Sequence, residues 1–124
     1  MKRILLLVVG LFSILLLTGC SASGYIENGK YYNEDTYYKV DGEDIEFIDN
    51  NNFIEAYGTY SVSDDVITIT YTFRNEIDKS SDEYGNVIPY KRVDTLHLDE
   101  GKLVLDKTSI DGVDTDINKE FIKK

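Results

Sequence analysis

A period-two alternation of apolar residues runs through the chain: Ile45 and Phe47, then Ile54, Ala56, Gly58, Tyr60 and Val62, then Ile67, Ile69, Tyr71 and Phe73, then Leu96 with Leu98 and Leu103 with Leu105. Successive side chains of a strand point to opposite faces, so this period commits the chain to half-buried strands. The residue types agree, because β-branched and aromatic side chains suit a pleated surface and the run VITITYTF from Val66 contains little else. Between the runs stand DGED from Asp41, DNNN from Asp49, SDD from Ser63 and DEGK from Asp99. Each supplies Gly, Asn or Asp where a tight antiparallel turn needs unusual dihedrals. The expected fold is all-β, an antiparallel meander forming a curved sheet or partial barrel.

Residues 74–86, RNEIDKSSDEYGN, are too polar and too long for a tight turn and read as an exposed, mobile loop. The only proline, Pro89, follows it and marks a strand start or an edge. The closing DGVDTDINKEFIKK reads as a short strand, although Ile117 and Phe121 also sit at helical spacing.

The N-terminus has a different layout. Lys2 and Arg3 precede an uncharged run over residues 4–18, which closes on Gly19 and Cys20. Its fifteen residues fall short of the ~20 that a helix needs to cross a bilayer, which suits a signal-peptide helix that is inserted and then cut. Leu17, Thr18, Gly19 and Cys20 resemble the lipobox of bacterial lipoproteins. The resemblance implies a diacylglyceryl group on the Cys20 thiol, removal of residues 1–19, and a protein held by its lipid on the extracytoplasmic face of the cell membrane. Cys20 is the sole cysteine, so no disulfide can form inside the domain. Residues 20–29 then read as the lipidated cysteine and a flexible tether, and residues 30–124 as a single β domain. The nine tether residues after Cys20 reach ~30 Å when fully extended.

The leader carries two of the 13 basic residues and none of the 23 acidic ones, so the whole-chain charge of −10 becomes −12 in the mature part. Such a charge repels nucleic-acid phosphates and anionic headgroups and attracts cationic peptides or proteins. The expected partners are therefore the membrane, through the Cys20 lipid, and a cationic ligand, with no nucleic acid.

The stretch FIDNNNFIEAYGTYSVSDDVITITYTF from Phe47, followed by a long loop and DTLHLDEGKLVLDKTSI, is similar to the lipocalin-like β-meander modules of small secreted bacterial proteins. Gly58, Thr59 and Tyr60 carry the Gly-Thr-aromatic element that opens a strand in those modules. The resemblance covers about half the chain and implies a curved or barrel-like antiparallel sheet with no single activity. The mature chain is shorter than a full eight-stranded lipocalin usually needs and has no tryptophan, which favours a partial barrel.

No nucleophile elbow, phosphate-cradling glycine loop or zinc-binding helix is present, so no catalytic residue and no cofactor is assigned and the chain reads as a non-enzyme. The single histidine, His97, lies between Leu96 and Leu98 and faces away from them. The acidic pairs Glu43–Asp44, Asp64–Asp65 and Asp82–Glu83 fall in turns or loops, where solvation explains them. Asp111, Asp114, Asp116, Asn118 and Glu120 are spaced somewhat like a calcium loop. Counting from Asp114, however, Lys119 stands where the glycine is required and the chain ends before the twelfth position, so no metal is assigned.

Ten tyrosines remain, and Tyr57, Tyr60 and Tyr71 are the candidate ligand contacts, since a phenol presents a rigid face with a polar tip. The adjacent pairs Tyr31–Tyr32 and Tyr37–Tyr38 should each send one ring to either face. The leading expectation is a membrane-anchored binding module. The alternatives are an immunity-type lipoprotein that sequesters a cationic peptide, the precursor of a pheromone-like peptide from residues 11–19 (LFSILLLTG), and a hydrolase with an unrecognised carboxylate site.

Overall fold

The computed structural model describes residues 25–124. The expected signal-peptide helix, the expected lipobox residues Leu17, Thr18 and Gly19, and Cys20, the expected lipidation site, lie outside the described residues. Nine antiparallel strands follow one another: β1 (Gly29–Asn33), β2 (Thr36–Asp41), β3 (Asp44–Asp49), β4 (Ile54–Ser63), β5 (Val66–Glu76), β6 (Val87–Pro89), β7 (Arg92–Asp99), β8 (Lys102–Ile110) and β9 (Val113–Lys123). All but β6 form a closed eight-stranded barrel in meander order, with β5 pairing β7 directly and β1 pairing β9. The sheet is thus closed, where the chain length favoured a partial barrel. Two-residue turns make this possible. Asp64–Asp65, Glu100–Gly101 and Asp111–Gly112 all hold φ between 52° and 85°, the type I′ geometry that matches strand twist, so few residues are used between strands.

The closing seam is short. Tyr31 and Tyr32 pair with Lys123 and Ile122, the Lys124 amide donates to the Lys30 carbonyl at 3.1 Å, and the Asn33 side-chain amide donates to the Glu120 carbonyl at 2.9 Å. The C-terminal segment is one strand of eleven residues, which settles its ambiguity in favour of a strand and makes it longer than expected.

The alternation survives along most of each strand and is interrupted at three register shifts, at Tyr57/Gly58, Thr95/Leu96 and Leu105/Lys107, of which the first is the most informative. Tyr57 is in register with Phe73 and Gly58 with Tyr71, so Thr72 is an extra residue in β5. This bulge shifts the phase. Ile67, Ile69 and Tyr71 are buried inside, whereas Phe73, expected on the same face, stacks on the Tyr57 ring outside at 4.9 Å. Gly58 sits at the same place because the strands approach closely there. A Cβ on it would collide with the Thr70 carbonyl oxygen and lie 2.9 Å from the Tyr71 Cα.

The two ends of the barrel differ. At the base, where the first described residues and Lys124 lie, residues 25–28 cross the opening. Ile26 is 1% exposed and belongs to the core, its amide donates to the Tyr60 hydroxyl at 3.4 Å, and the Gly42 amide donates to the Asn28 side chain at 2.9 Å. The tether expected over residues 20–29 is therefore docked in its last part, because one isoleucine finds an apolar socket. At the other end lie the β1–β2, β3–β4 and β8–β9 turns and the long connection before β7. Residues 74–76 of that connection continue β5 and were not expected to be ordered as strand, while the Gly85 amide donates back to the Glu76 carbonyl at 2.9 Å. Pro89 lies on β6, which pairs with β5 alone and is an edge.

Candidate functional site

The site is built by the inward face of β7. Its alternation carries Arg92 and Asp94 inward together with Leu96, and all three are buried. An ion pair taken out of water is tolerable only if its remaining hydrogen-bonding capacity is satisfied. Asp94, which has no solvent exposure, accepts from Arg92 Nε at 2.8 Å and Nη2 at 3.2 Å, from the Tyr38 and Tyr71 hydroxyls at 2.8 Å each, and from Thr108 Oγ1 at 2.9 Å. Donors thus converge on one carboxylate from β2, β5, β7 and β8. Among the described residues no buried side-chain polar atom lacks a partner.

The electrostatics keep every member in one state. Burial, then the neighbouring Asp94 charge, pushes the Tyr38 phenol well above its ordinary value. Burial, then the Tyr38 and Asp94 groups, does the same to Tyr71. Both hydroxyls therefore remain protonated donors. Burial alone would lower the pKa of Arg92, but the Asp94 carboxylate, with Tyr71 and Tyr38 beside it, outweighs it and the net shift is upward. The guanidinium also lies over the Phe47 ring, 4.3 Å from its centroid, and 5.5 Å from that of Tyr71.

Above this floor the barrel opens into a mouth cavity of about 320 Å³. Phe47, Ile54, Leu105, Ile110, Ile117 and Phe121 form its walls, Arg92 and Thr108 its floor, and Asp49 and Lys119 stand towards the rim. Asp49 is occupied locally, accepting from the Asn51 and Asn52 amides and from the Asn52 side chain. A cleft where β5 and β7 part, lined by Tyr71, Pro89 and Tyr90 among others, reaches Arg92 from a second side. A third hollow, about 330 Å³, lies on the outer face over the Gly58 bulge, lined by Lys39, Glu46, Tyr57 and Phe73. The mouth is the better-built site, because apolar walls there enclose a buried, partly engaged cation, the usual composition of a ligand pocket.

The three tyrosines singled out from the sequence are not brought together. Tyr57 is on the outer face, its hydroxyl donating to Glu55 Oε1 at 2.7 Å. Tyr60 points inward at the base, against Ile26, and only Tyr71 belongs to the Asp94 network. The adjacent pairs divide as expected: Tyr31 and Tyr38 are buried, while Tyr32 and Tyr37 form a partly exposed outer pair 5.0 Å apart. His97 is on the outer face, with Nδ1 2.8 Å from Asp106 Oδ2 and the side chains 45% and 42% exposed. The acidic residues considered for calcium are strung along β9 and its turn, with Asp114 beside Lys107 and Glu120 beside Lys102. Among the described residues no three His, Cys, Asp or Glu side chains gather as a metal site would need.

Arg92, Asp94, Tyr38 and Thr108 were missed by the sequence reading. Their signal was the parity of Arg92 and Asp94 with Leu96 and Leu98, which places two charges on an otherwise apolar face. No protein family, curated protein or solved structure matches the chain.

Proposed function

We propose that this chain is an extracytoplasmic lipoprotein, anchored through Cys20, whose barrel binds a small ligand in its mouth without transforming it. The observation that carries the binding reading is the apolar mouth cavity over the buried Arg92. Asp94 accepts five hydrogen bonds, so its lone pairs are already engaged and none is offered to a substrate or an attacking water, which favours binding over hydrolysis. The geometry also suits an anchor at the base. Tyr25 is five residue steps on from Cys20, a reach of about 17 Å when extended, so the base would stay by the bilayer and the mouth would face away from it.

Two measurements test the halves separately. Incorporation of labelled palmitate should be lost in Cys20→Ser; equal labelling of that variant would reject the anchor. The mature chain should bind the uncharged dye Nile red saturably, and Ile117→Trp, which fills the mouth, should abolish this; unchanged dye binding in that variant would reject the mouth as the site.

A second reading, capture of a cationic peptide, is favoured by β9. Its register with β1 is confined to Ile122 and Lys123, so the edge from Val113 to Lys119 faces no strand on that side and carries Asp114 and Asp116. Salt-independent binding of a cationic peptide panel, or none, would remove this reading.

A further inference from the structure

The remaining hydrogen-bonding capacity of Arg92, set against the charge of its surroundings, says what kind of head group the mouth accepts. Resting on the mouth-binding reading, we propose that the ligand is an uncharged amphiphile that presents a carbonyl oxygen, of an amide or ester, to the Arg92 guanidinium and lays its hydrocarbon part against the cavity walls.

A guanidinium carries five N–H groups in one plane. Nε–H and one Nη2–H are engaged by the two Asp94 oxygens, and one Nη1–H is directed to the Tyr90 hydroxyl at a long 3.4 Å. One N–H on Nη1 and one on Nη2 are left over from these contacts, the capacity that can take a two-lone-pair acceptor. Arg92 lines the mouth cavity, and it is 6% exposed.

Charge decides which acceptor. The single cation of the floor is already neutralised by Asp94 at 2.8 Å. A ligand carboxylate would therefore enter as a second anion beside one cation, and it would lose its hydration with no uncompensated positive charge to replace it. Among the described residues the other anion lining the cavity is Asp49 and the other cation is Lys119, at an exposed position where water screens it. A neutral carbonyl offers the same two lone pairs at no charge cost. Phe47, Ile54, Leu105, Ile117 and Phe121 bury the rest of the molecule.

The experiment is displacement of Nile red from the mature chain by octanamide, methyl octanoate and octanoate at neutral pH. Octanamide and the ester are expected to displace the dye at concentrations roughly tenfold below octanoate. Octanoate should approach them as the pH falls through its own carboxyl titration. Octanoate that equals or beats octanamide at neutral pH overturns the inference while leaving the mouth site standing. Dye binding that Ile117→Trp does not affect removes the mouth reading itself. Arg92→Lys keeps a charge opposite Asp94 but removes the fork, so a folded variant, its own Nile red affinity measured first, should bind octanamide several-fold more weakly than the parent; unchanged octanamide binding in it also overturns the inference. If that variant does not fold, the comparison of amide with carboxylate in the unaltered protein decides.

Discussion

The Tyr38 hydroxyl reaches across the barrel from β2 to donate to Asp94 on β7 at 2.8 Å, and the two residues share complete burial. This bond ties the wall opposite β7 to a charge that the fold must keep satisfied.

Asp94→Asn removes the charge that compensates the buried Arg92 and inserts two amide hydrogens among existing donors. The expected loss is about 3–5 kcal/mol, the cost of breaking a buried pair from one side. Tyr38→Phe removes one donor of five and should cost about 1–3 kcal/mol. Urea unfolding of the two variants checks the order, and a smaller loss in Asp94→Asn than in Tyr38→Phe would contradict the account.

Alkaline pH should unfold the protein through the same phenols. The folded state holds the Tyr38 and Tyr71 protons more tightly than the unfolded chain, in which tyrosine titrates near 10.0. Their contribution is therefore complete below about pH 10 and is lost as pH rises above it. The urea midpoint should fall across that range with a slope approaching one proton per tyrosine, and the double variant Tyr38→Phe with Tyr71→Phe should flatten it. A midpoint independent of pH between 9 and 12 would refute the linkage.

Gly58→Ala has to push two backbones apart, because the Cβ meets the Thr70 carbonyl and not a flexible side chain. The expected cost is about 1–3 kcal/mol, with altered packing of the Tyr57 and Phe73 rings over the bulge. Thermal melts, with near-ultraviolet circular dichroism as the reporter of those rings, measure both effects.

Ile26→Ala empties the socket that the crossing segment fills at the base. A loss of about 2–5 kcal/mol is expected, the range for truncating a buried aliphatic side chain. If the variant melts within a degree of the parent, Ile26 is not part of the core in solution.

Much of the architecture was legible because period and turn chemistry agreed: residues 66–71 alternate without a break, and Asp-Asp, Glu-Gly and Asp-Gly fall where the hairpins need positive φ. The bulge at Thr72 was not legible, since nothing in ITYTF distinguishes an extra residue from the next step of the alternation. Closure was hidden for a similar reason, as β1 and β9 meet through only two registered pairs between segments at opposite ends of the chain. Ile26 was concealed as one apolar residue in a polar stretch. The site was overlooked because adjacent acidic residues drew notice, whereas on a strand the residues that share a face are two apart, as Arg92 and Asp94 are.

The seam between β1 and β9 also fixes an order of events. Every other pairing joins strands adjacent in sequence or, for β5 and β7, strands separated by a three-residue strand and its connections. Tyr31 must wait for Lys123. In a chain emerging N-terminus first, the hairpins can form as they appear, but β1 keeps a bare edge until β9 is delivered, and closing so long a loop carries the largest entropic cost of any step. Until then the nascent sheet exposes two edges to neighbouring chains. The interval before β9 arrives is therefore the one in which this sheet offers a free edge to a neighbouring chain.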